Sequence, residues 1–321
     1  MRKDVFMFPG VGSQKTGMGK SFYDHFQVVR DAFAEASELL KIDFVELCFS
    51  PARKQDLDKL ENSQLATLLL SVAIYRVIRQ EIGGEPRFFM GHSLGEYSAL
   101  CCAGVMQFPE ALALVKQRGM ILTEAAATMN GIMAWVINLD NKVVETVCKE
   151  ARAQGEQVFV SAYDTPFQSS VSGDKESVIR TGRILEKHGA IVYPLKMSGP
   201  FHCPLMKPAA DRIKAILESY RFQPTDSTVI ANFNARPYKN QKDVAENLAL
   251  QLINPLHWQL SLRYIEEQGV TEAVEFGADK VLKHLLKNNS DSIKMFSLDN
   301  IEDMETLKSY PSFKRSTTSA R

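Results

Sequence analysis

The segment at residues 91–95, GHSLG, has a serine between two glycines, directly after the apolar run FFM and before a run with helical character. This strand–turn–helix context is typical of a nucleophile elbow, in which a sharp turn lifts the serine hydroxyl above a sheet. Side chains flanking such a turn would collide, and glycines remove them. The pattern predicts that Ser93 is a nucleophile and that the N–H of Leu94 points at a developing oxyanion. The competing interpretation is a tight glycine turn with a capping serine.

A serine nucleophile needs a base, which is most often a histidine. Of the six histidines in the chain, His202 and His257 are the main candidates, because the side chain of His92 should diverge from that of Ser93 at the turn. His202 stands in the segment SGPFHCP, just past a predicted strand and at the junction of two predicted domains. Loops at domain junctions often carry catalytic groups. Residue types alone do not decide between His202 and His257.

A second glycine loop, FPGVGSQKTGMGKS, follows the first predicted strand. A phosphate-binding loop would need glycine in place of Gln14, and the dinucleotide fingerprint would need it in place of Lys15. Neither nucleotide-binding motif is therefore complete. We expect instead that the backbone N–H of Val11, which has a glycine on each side, faces Ser93 as a second oxyanion donor.

Helix and strand patterns alternate along most of the chain, which predicts a parallel sheet covered by helices. From residue 129 the patterns follow the βαββαβ order of a ferredoxin-like domain. We therefore predict an α/β protein with a large domain at residues 1–128 and 198–305 and a small inserted domain at residues 129–197. The polar and basic residues 306–321 are predicted to form a disordered tail.

The composition is that of an ordinary globular protein, with 45% hydrophobic residues and 38 basic residues balancing 38 acidic ones. A net charge of zero gives no electrostatic reason to expect nucleic-acid binding. No segment predicts a membrane span, and the first ten residues are too short and mixed for a signal peptide. The five cysteines lack CxxC spacing, so we expect reduced thiols, no metal site and a cytoplasmic protein.

The chain carries, in this order, the segments FPGVGSQ, GHSLGEYSAL, QRG, SGPFHCPLM and QLINPLHW. Their order and separations resemble the malonyl-CoA:acyl carrier protein transacylase family, including its freestanding members in bacterial polyketide pathways. The resemblance covers nearly the whole chain and implies an α/β-hydrolase-like large domain with a ferredoxin-like insert. It implies that malonyl or related acyl groups pass between CoA and acyl carrier protein through an acyl-serine, in fatty-acid or polyketide biosynthesis. We expect a monomer with no cofactor beyond these thioester substrates.

By motif match, the resemblance implies that Ser93 is the nucleophile and His202 its base. It also implies that a main-chain carbonyl near Gln251, rather than a carboxylate, orients the histidine. The N–H groups of Val11 and Leu94 are expected to form the oxyanion hole.

The resemblance further implies a substrate-binding site made by Arg118, Phe201 and His92. Arg118 falls where the family holds the free carboxylate of a malonyl group, and a guanidinium can bind a carboxylate with two parallel hydrogen bonds. Without the motif, Arg118 would be interpreted as an arginine on the surface of a helix.

The chain departs from the family pattern in three places. Val11 stands where the family usually has glutamine, residues 162–168 (AYDTPFQ) replace Asn-x-Asn-x-Pro-Gly-Gln, and residues 277–279 (GAD) replace Gly-Pro-Gly. These changes leave two activities open. We favour transfer of the acyl group to a carrier-protein thiol, and the alternative is an editing acyl hydrolase that releases stalled acyl groups from acyl carrier protein.

Two other classes of protein fit the sequence less well than an acyl-serine enzyme. A non-catalytic homologue that binds carrier protein would not need Ser93, His202 and Arg118, which are all present. An ordinary α/β-hydrolase esterase would need a triad aspartate and a histidine close to the C-terminus, whereas His202 lies far from it.

Overall fold

The computed structural model describes residues 4–313. Its strands are β1 (Asp4–Phe8), β2 (Phe88–Gly91), β3 (Gly131–Ile137), β4 (Val158–Thr165), β5 (Gln168–Asp174), β6 (Ile191–Ser198), β7 (Thr228–Ile230), β8 (Glu272–Phe276) and β9 (Lys294–Leu298). The first helices are α1 (Lys20–His25), α2 (Gln27–Leu40), α3 (Phe44–Phe49), α4 (Lys54–Leu57), α5 (Leu60–Glu81), α6 (Gly95–Cys102) and α7 (Phe108–Thr128). They are followed by α8 (Asn141–Ala153), α9 (Lys175–Lys187), α10 (Lys207–Ser219), α11 (Asp243–Ile253), α12 (Trp258–Glu267), α13 (Val281–Lys287) and α14 (Ile301–Ser309). None of these helices is long and apolar enough to cross a lipid bilayer.

The large sheet has five parallel strands in the order β7-β2-β1-β8-β9. Its central strand β1 has the sequence DVFMF and is buried along its whole length, as expected for a parallel strand covered on both faces. Successive side chains of a strand point to opposite faces. Phe6 and Phe8 accordingly pack into the largest apolar cluster, while Val5 and Met7 pack with Trp258 of α12 on the other face. Two apolar layers therefore hold the sheet between helices.

The second sheet is antiparallel, with four strands in the order β4-β5-β3-β6. Helix α8 connects β3 to β4 and α9 connects β5 to β6, which is the predicted βαββαβ arrangement. The α8 residues Val144, Val147, Cys148 and Ala151 are buried, and their spacing forms one helical face. The predicted fold class, a parallel-sheet large part with a ferredoxin-like insert, is confirmed.

Strand β4 joins the small sheet to the segment before α12. The N–H of Tyr163 donates to the carbonyl of Leu256 at 2.9 Å, and the N–H of Leu256 donates to the carbonyl of Ser161 at 3.0 Å. The side chain of Asn289 also donates to the carbonyl of Asp164 at 2.7 Å. These contacts fix the small sheet over the carboxyl edge of the large one, where the loops after parallel strands form clefts.

The prediction of a disordered tail over residues 306–321 needs correction in its first part. Helix α14 continues into this segment, and a short 3₁₀ turn after it buries Phe313 against Phe296, with ring centroids 5.7 Å apart. Leu307 is also buried. Composition alone missed this order because two apolar side chains anchor a segment that is otherwise polar. Residues 314–321 lie outside the described part of the chain.

Candidate active site

Ser93 occupies a sharp turn between β2, which ends at Gly91, and α6, which begins at Gly95. Its φ of 53° lies in the left-handed region, which is uncommon for a residue with a side chain. A Cβ atom on Gly91 would lie 2.0 Å from the carbonyl carbon of Gly95, and one on Gly95 would lie 2.0 Å from the carbonyl oxygen of Phe8. Both positions therefore require glycine, and the turn presents Ser93 at the carboxyl edge of the sheet.

His202 meets Ser93 from the loop that follows β6. Ser93 Oγ and His202 Nε2 are 2.9 Å apart, and His202 Nδ1 is 2.8 Å from the main-chain oxygen of Gln251. A carbonyl oxygen only accepts, so Nδ1 carries the ring proton and Nε2 accepts the Ser93 hydroxyl proton in a hydrogen bond. The other candidate base, His257, instead stacks on Tyr163 with ring centroids 5.5 Å apart.

The environment of His202 favours a neutral imidazole. The residue is 5% exposed, and this burial lowers the pKa of His202 from 6.5 to about 3, against the opposing effect of the hydrogen bond to Gln251. The nearby positive charge of Arg118 lowers the pKa further. At neutral pH, Nε2 therefore has a free lone pair directed at the Ser93 hydroxyl.

Arg118 lies on α7 and is 3% exposed. Its Nη1 donates to the amide oxygen of Gln64, and its guanidinium carbon lies 5.2 Å from the centroid of the Tyr97 ring. Its Nε has no hydrogen-bond partner within residues 4–313. Burial lowers the pKa of Arg118 from its ordinary value, because no carboxylate within hydrogen-bond distance compensates the desolvated charge.

Most of the residues predicted for the site line one cavity. They are Val11, His92, Ser93, Arg118, Phe201 and His202. Leu94 and Gln251 do not line it. Leu94 follows the nucleophile and is fully buried, and Gln251 lies behind the histidine. His92 Nε2 is 2.8 Å from Oδ1 of Asp164, which belongs to the 162–168 segment that departs from the family pattern. Within the described range, no group of three or more His, Cys, Asp or Glu side chains is arranged to hold a metal ion.

Two side-chain amides fix the backbone of Ser93, and sequence reasoning did not predict this role for either. Asn232 Oδ1 accepts from the N–H of Ser93 at 2.8 Å, and Gln251 Nε2 donates to the carbonyl of Ser93 at 3.0 Å. Asn232 follows β7, and β7 is the parallel neighbour of β2. Parallel neighbours end at the same sheet edge, which brings Asn232 to Ser93, but the pairing of these two strands cannot be read from the sequence.

A family model described as an acyl transferase domain matches residues 5–321. The chain belongs to this acyl transferase family. It is similar to the malonyl CoA-acyl carrier protein transacylase of Escherichia coli strain K12, with 38% identity over 300 residues that cover 93% of this chain and 96% of the relative. A protein of the same name from Bacillus subtilis is 36% identical over 307 residues, which cover 96% of this chain and 76% of that relative.

Solved structures of this acyl transferase family have the same fold. An acyl carrier protein S-malonyltransferase from Vibrio cholerae gives a TM-score of 0.91 at 35% identity, covering 95% of this chain and all of that one (100%). The PlMCAT:AntF complex, a type II PKS acyl-carrier protein with its malonyl-transacylase, gives a TM-score of 0.91 at 37% identity and covers 95% of this chain and 98% of the matched one. The chain is an acyltransferase, and its family and fold agree with the predictions from its motifs.

Proposed function

We propose that this acyltransferase moves malonyl groups from CoA to an acyl carrier protein through an ester on Ser93. The proposal rests on one observation: Ser93 Oγ lies 2.9 Å from Nε2 of a neutral His202, in a cavity that also contains the buried guanidinium of Arg118. The names of the relatives support the same donor, acceptor and acyl group, because they are malonyl CoA-acyl carrier protein transacylases.

In the first half-reaction, Ser93 Oγ attacks the thioester carbonyl carbon while His202 Nε2 takes the hydroxyl proton. The carbonyl oxygen becomes an oxyanion and accepts hydrogen bonds from the N–H groups of Val11 and Leu94. Neither N–H donates to another backbone group within residues 4–313, so both are available for this role. The carbon–sulfur bond then breaks, the CoA sulfur takes the proton from His202, and CoA leaves as a thiol.

In the second half-reaction, the thiol of the carrier protein's phosphopantetheine arm attacks the ester on Ser93. His202 Nε2 takes the thiol proton and returns it to Ser93 Oγ as the ester bond breaks. The acyl group is now a thioester on the carrier protein, and the enzyme has regained its starting protonation. This scheme uses no cofactor and no metal ion, because the two thioesters and the two side chains supply every atom that reacts.

We assign recognition of the malonyl carboxylate to Arg118. An ion buried without a hydrogen-bonded partner of opposite charge is costly, and a carboxylate that enters the cavity would supply that partner. The unpartnered Nε of Arg118 can donate to such a carboxylate, while Gln64 holds Nη1. Phe201 and His92 line the same cavity and complete the proposed substrate-binding residues.

The proposed setting is the cytoplasm, in fatty-acid or polyketide biosynthesis. The cysteines within the described range are free and buried, which suits a reducing compartment. We propose a monomer, because a single chain supplies every residue assigned to the reaction. The carrier protein that accepts the acyl group is the proposed macromolecular partner.

The experiment that tests this function starts with enzyme loaded from radiolabelled malonyl-CoA and then follows the label with and without holo acyl carrier protein. Transfer predicts that the label moves to the carrier protein and that little free malonate forms. Apo carrier protein, which lacks the thiol arm, is the matched control and should accept nothing. No label on the enzyme would support a non-catalytic homologue. Rapid release of free acid from acyl-carrier thioesters, with little reloading and a preference for longer acyl chains, would overturn transfer in favour of editing hydrolysis.

A further inference from the structure

Glu96 is a buried carboxylate that the reaction scheme above does not use. It is the second residue of α6, three positions after Ser93, and it is 0% exposed. Its oxygens accept hydrogen bonds from the hydroxyl of Tyr238, from Nε2 of Gln251 at 2.7 Å and from the N–H of Asn232 at 3.1 Å. A carboxylate with no solvent contact is costly, so its retention directly behind the nucleophile calls for an explanation.

Two of the groups that Glu96 holds are the amide residues that fix the catalytic pair. Asn232 Oδ1 accepts from the N–H of Ser93, and Gln251 Nε2 donates to the carbonyl of Ser93. The main-chain oxygen of Gln251 also accepts from His202 Nδ1. One hydrogen bond therefore separates Glu96 from each residue that sets the backbone of Ser93 and the ring of His202.

The donors around Glu96 favour an ionised carboxylate. Oε2 receives both the N–H of Asn232 and the amide of Gln251, and Oε1 receives the Tyr238 hydroxyl. An ionised carboxylate only accepts, so it satisfies all these donors at once. A protonated carboxyl, or a glutamine side chain, keeps an acceptor for Asn232 and Gln251 only if its own donor faces Tyr238, whose hydroxyl must then accept instead of donate. Both amides would also lose their hydrogen bond to a negative charge.

We propose that Glu96 is a positioning residue whose ionised form holds Gln251 and Asn232 and thereby fixes the Ser93–His202 geometry for acylation. This inference rests on the proposed function. A displacement of about 1 Å in a reacting group costs on the order of a hundredfold in rate, so a small shift of these amides is enough to matter.

The charges around Glu96 allow this role to be tested by pH. Burial raises the pKa of Glu96 to about 7, while the hydrogen bonds from Tyr238, Gln251 and Asn232 and the charge of Arg118 oppose the rise. Tyr238 and Arg118 are the titratable or charged groups that face Glu96 from other elements, and Tyr97 adjoins it on α6. The ionised fraction of Glu96 then grows as pH rises through about 7. His202, with its pKa lowered to about 3, cannot produce a rise in this range.

The experiment is rapid-quench acylation by malonyl-CoA as a function of pH, with wild type, Glu96→Gln and Tyr238→Phe. Wild type should acylate faster as pH rises, with a midpoint near 7. Glu96→Gln should lower the maximal acylation rate by about ten- to a hundredfold, leave the half-saturating malonyl-CoA concentration nearly unchanged, and lose that midpoint. Tyr238→Phe keeps the carboxylate but removes a hydrogen bond that lowers its pKa, so its midpoint should move to higher pH.

Glu275 supplies the matched control. It is also a fully buried carboxylate, and it accepts from the N–H of Leu282 at 2.8 Å and from Ser297 Oγ at 2.6 Å, with no hydrogen bond to the Ser93 network. Glu275→Gln should reduce thermal stability and keep the wild-type pH midpoint. Wild type that does not acylate would contradict the proposed function itself. An acylating wild type whose midpoint near 7 persists in Glu96→Gln, or does not move in Tyr238→Phe, would overturn the role of Glu96 alone.

Discussion

Ser93 Oγ lies 2.9 Å from Nε2 of His202, although 109 positions separate the two residues along the chain. Both residues have left-handed backbone conformations, with φ of 53° and 59°. Such conformations cost about 1–3 kcal/mol each for residues with side chains and persist only where the surrounding structure fixes them. Here the glycines at 91 and 95 fix the first turn and the carbonyl of Gln251 fixes the ring of the second residue. Both residues that must meet therefore have strained backbones.

His202→Ala should lower the rate of acylation by on the order of a hundredfold or more, as expected for loss of a general base. His257→Ala is the matched control, because this histidine stacks on Tyr163 and does not hydrogen-bond Ser93. Single-turnover acylation by malonyl-CoA measures both variants. A larger loss in His257→Ala than in His202→Ala would contradict the assignment of the base.

The pKa of His202 predicts a specific pH dependence of stability. Burial lowers this pKa from 6.5 to about 3 in the folded protein, so below pH 6.5 the unfolded chain binds more protons than the folded one. The stabilisation from the neutral buried ring is fully present above pH 6.5 and is lost as pH falls towards 3. Wild type should therefore lose free energy of unfolding relative to His202→Ala by up to about 1.4 kcal/mol per pH unit in this window. Denaturant unfolding at several pH values measures the difference, and parallel pH curves for the two proteins would rule out the lowered pKa.

Arg118→Ala should reduce malonyl loading by about tenfold to a few hundredfold, because a charge-assisted hydrogen bond contributes about 1.5–3 kcal/mol. Loading of a neutral acyl group such as acetyl should be spared, since it has no carboxylate to bind. The comparison of malonyl-CoA with acetyl-CoA in each protein separates the two effects. Equal losses for both substrates would show that Arg118 supports the structure rather than the choice of acyl group.

Val11→Gln tests the departure from the family pattern at the oxyanion loop. Val11 lines the cavity that contains Ser93, and the change keeps its backbone N–H while adding a polar side chain. If Val11 affects access of water to the acyl-serine, glutamine should raise the ratio of carrier-bound to free acyl product by about two- to tenfold, the effect of one added hydrogen bond. Val11→Leu, which stays apolar, should leave the ratio unchanged. An unchanged ratio in Val11→Gln would show that Val11 does not control the access of water, and residues 162–168 would be the next segment to test.

The predictions that agree with the structure came from patterns of residues close together along the chain. A Cβ atom on Gly91 would collide with Gly95, and one on Gly95 would collide with Phe8 of the adjoining strand β1. Because these contacts are set by the turn itself, the spacing of the two glycines was enough to predict the turn around Ser93. The βαββαβ order was likewise readable from hydrophobic periodicity and turn residues. The family resemblance added the pairing of Ser93 with His202, which residue types alone had left open against His257.

Contacts between distant segments could not be predicted in the same way. The hydrogen bond from Asn232 to the N–H of Ser93 joins residues 139 positions apart, and no local pattern marks it. The sequence analysis did not single out Glu96, which the packing of distant segments buries fully. Strand β9 (KMFSL) was not predicted, and it pairs with β8, which precedes it in the chain across helix α13.

Mass spectrometry of the trapped enzyme tests most directly whether an acyl ester forms on Ser93. Wild-type enzyme is mixed with malonyl-CoA, quenched in acid and digested, and Ser93→Ala is treated in parallel. We predict a malonyl ester on the peptide that contains Ser93, and neither ester nor turnover in Ser93→Ala, because covalent catalysis splits the exchange into two steps through this one oxygen. A malonyl group found on another residue, or full turnover by Ser93→Ala, would show that Ser93 is not the nucleophile.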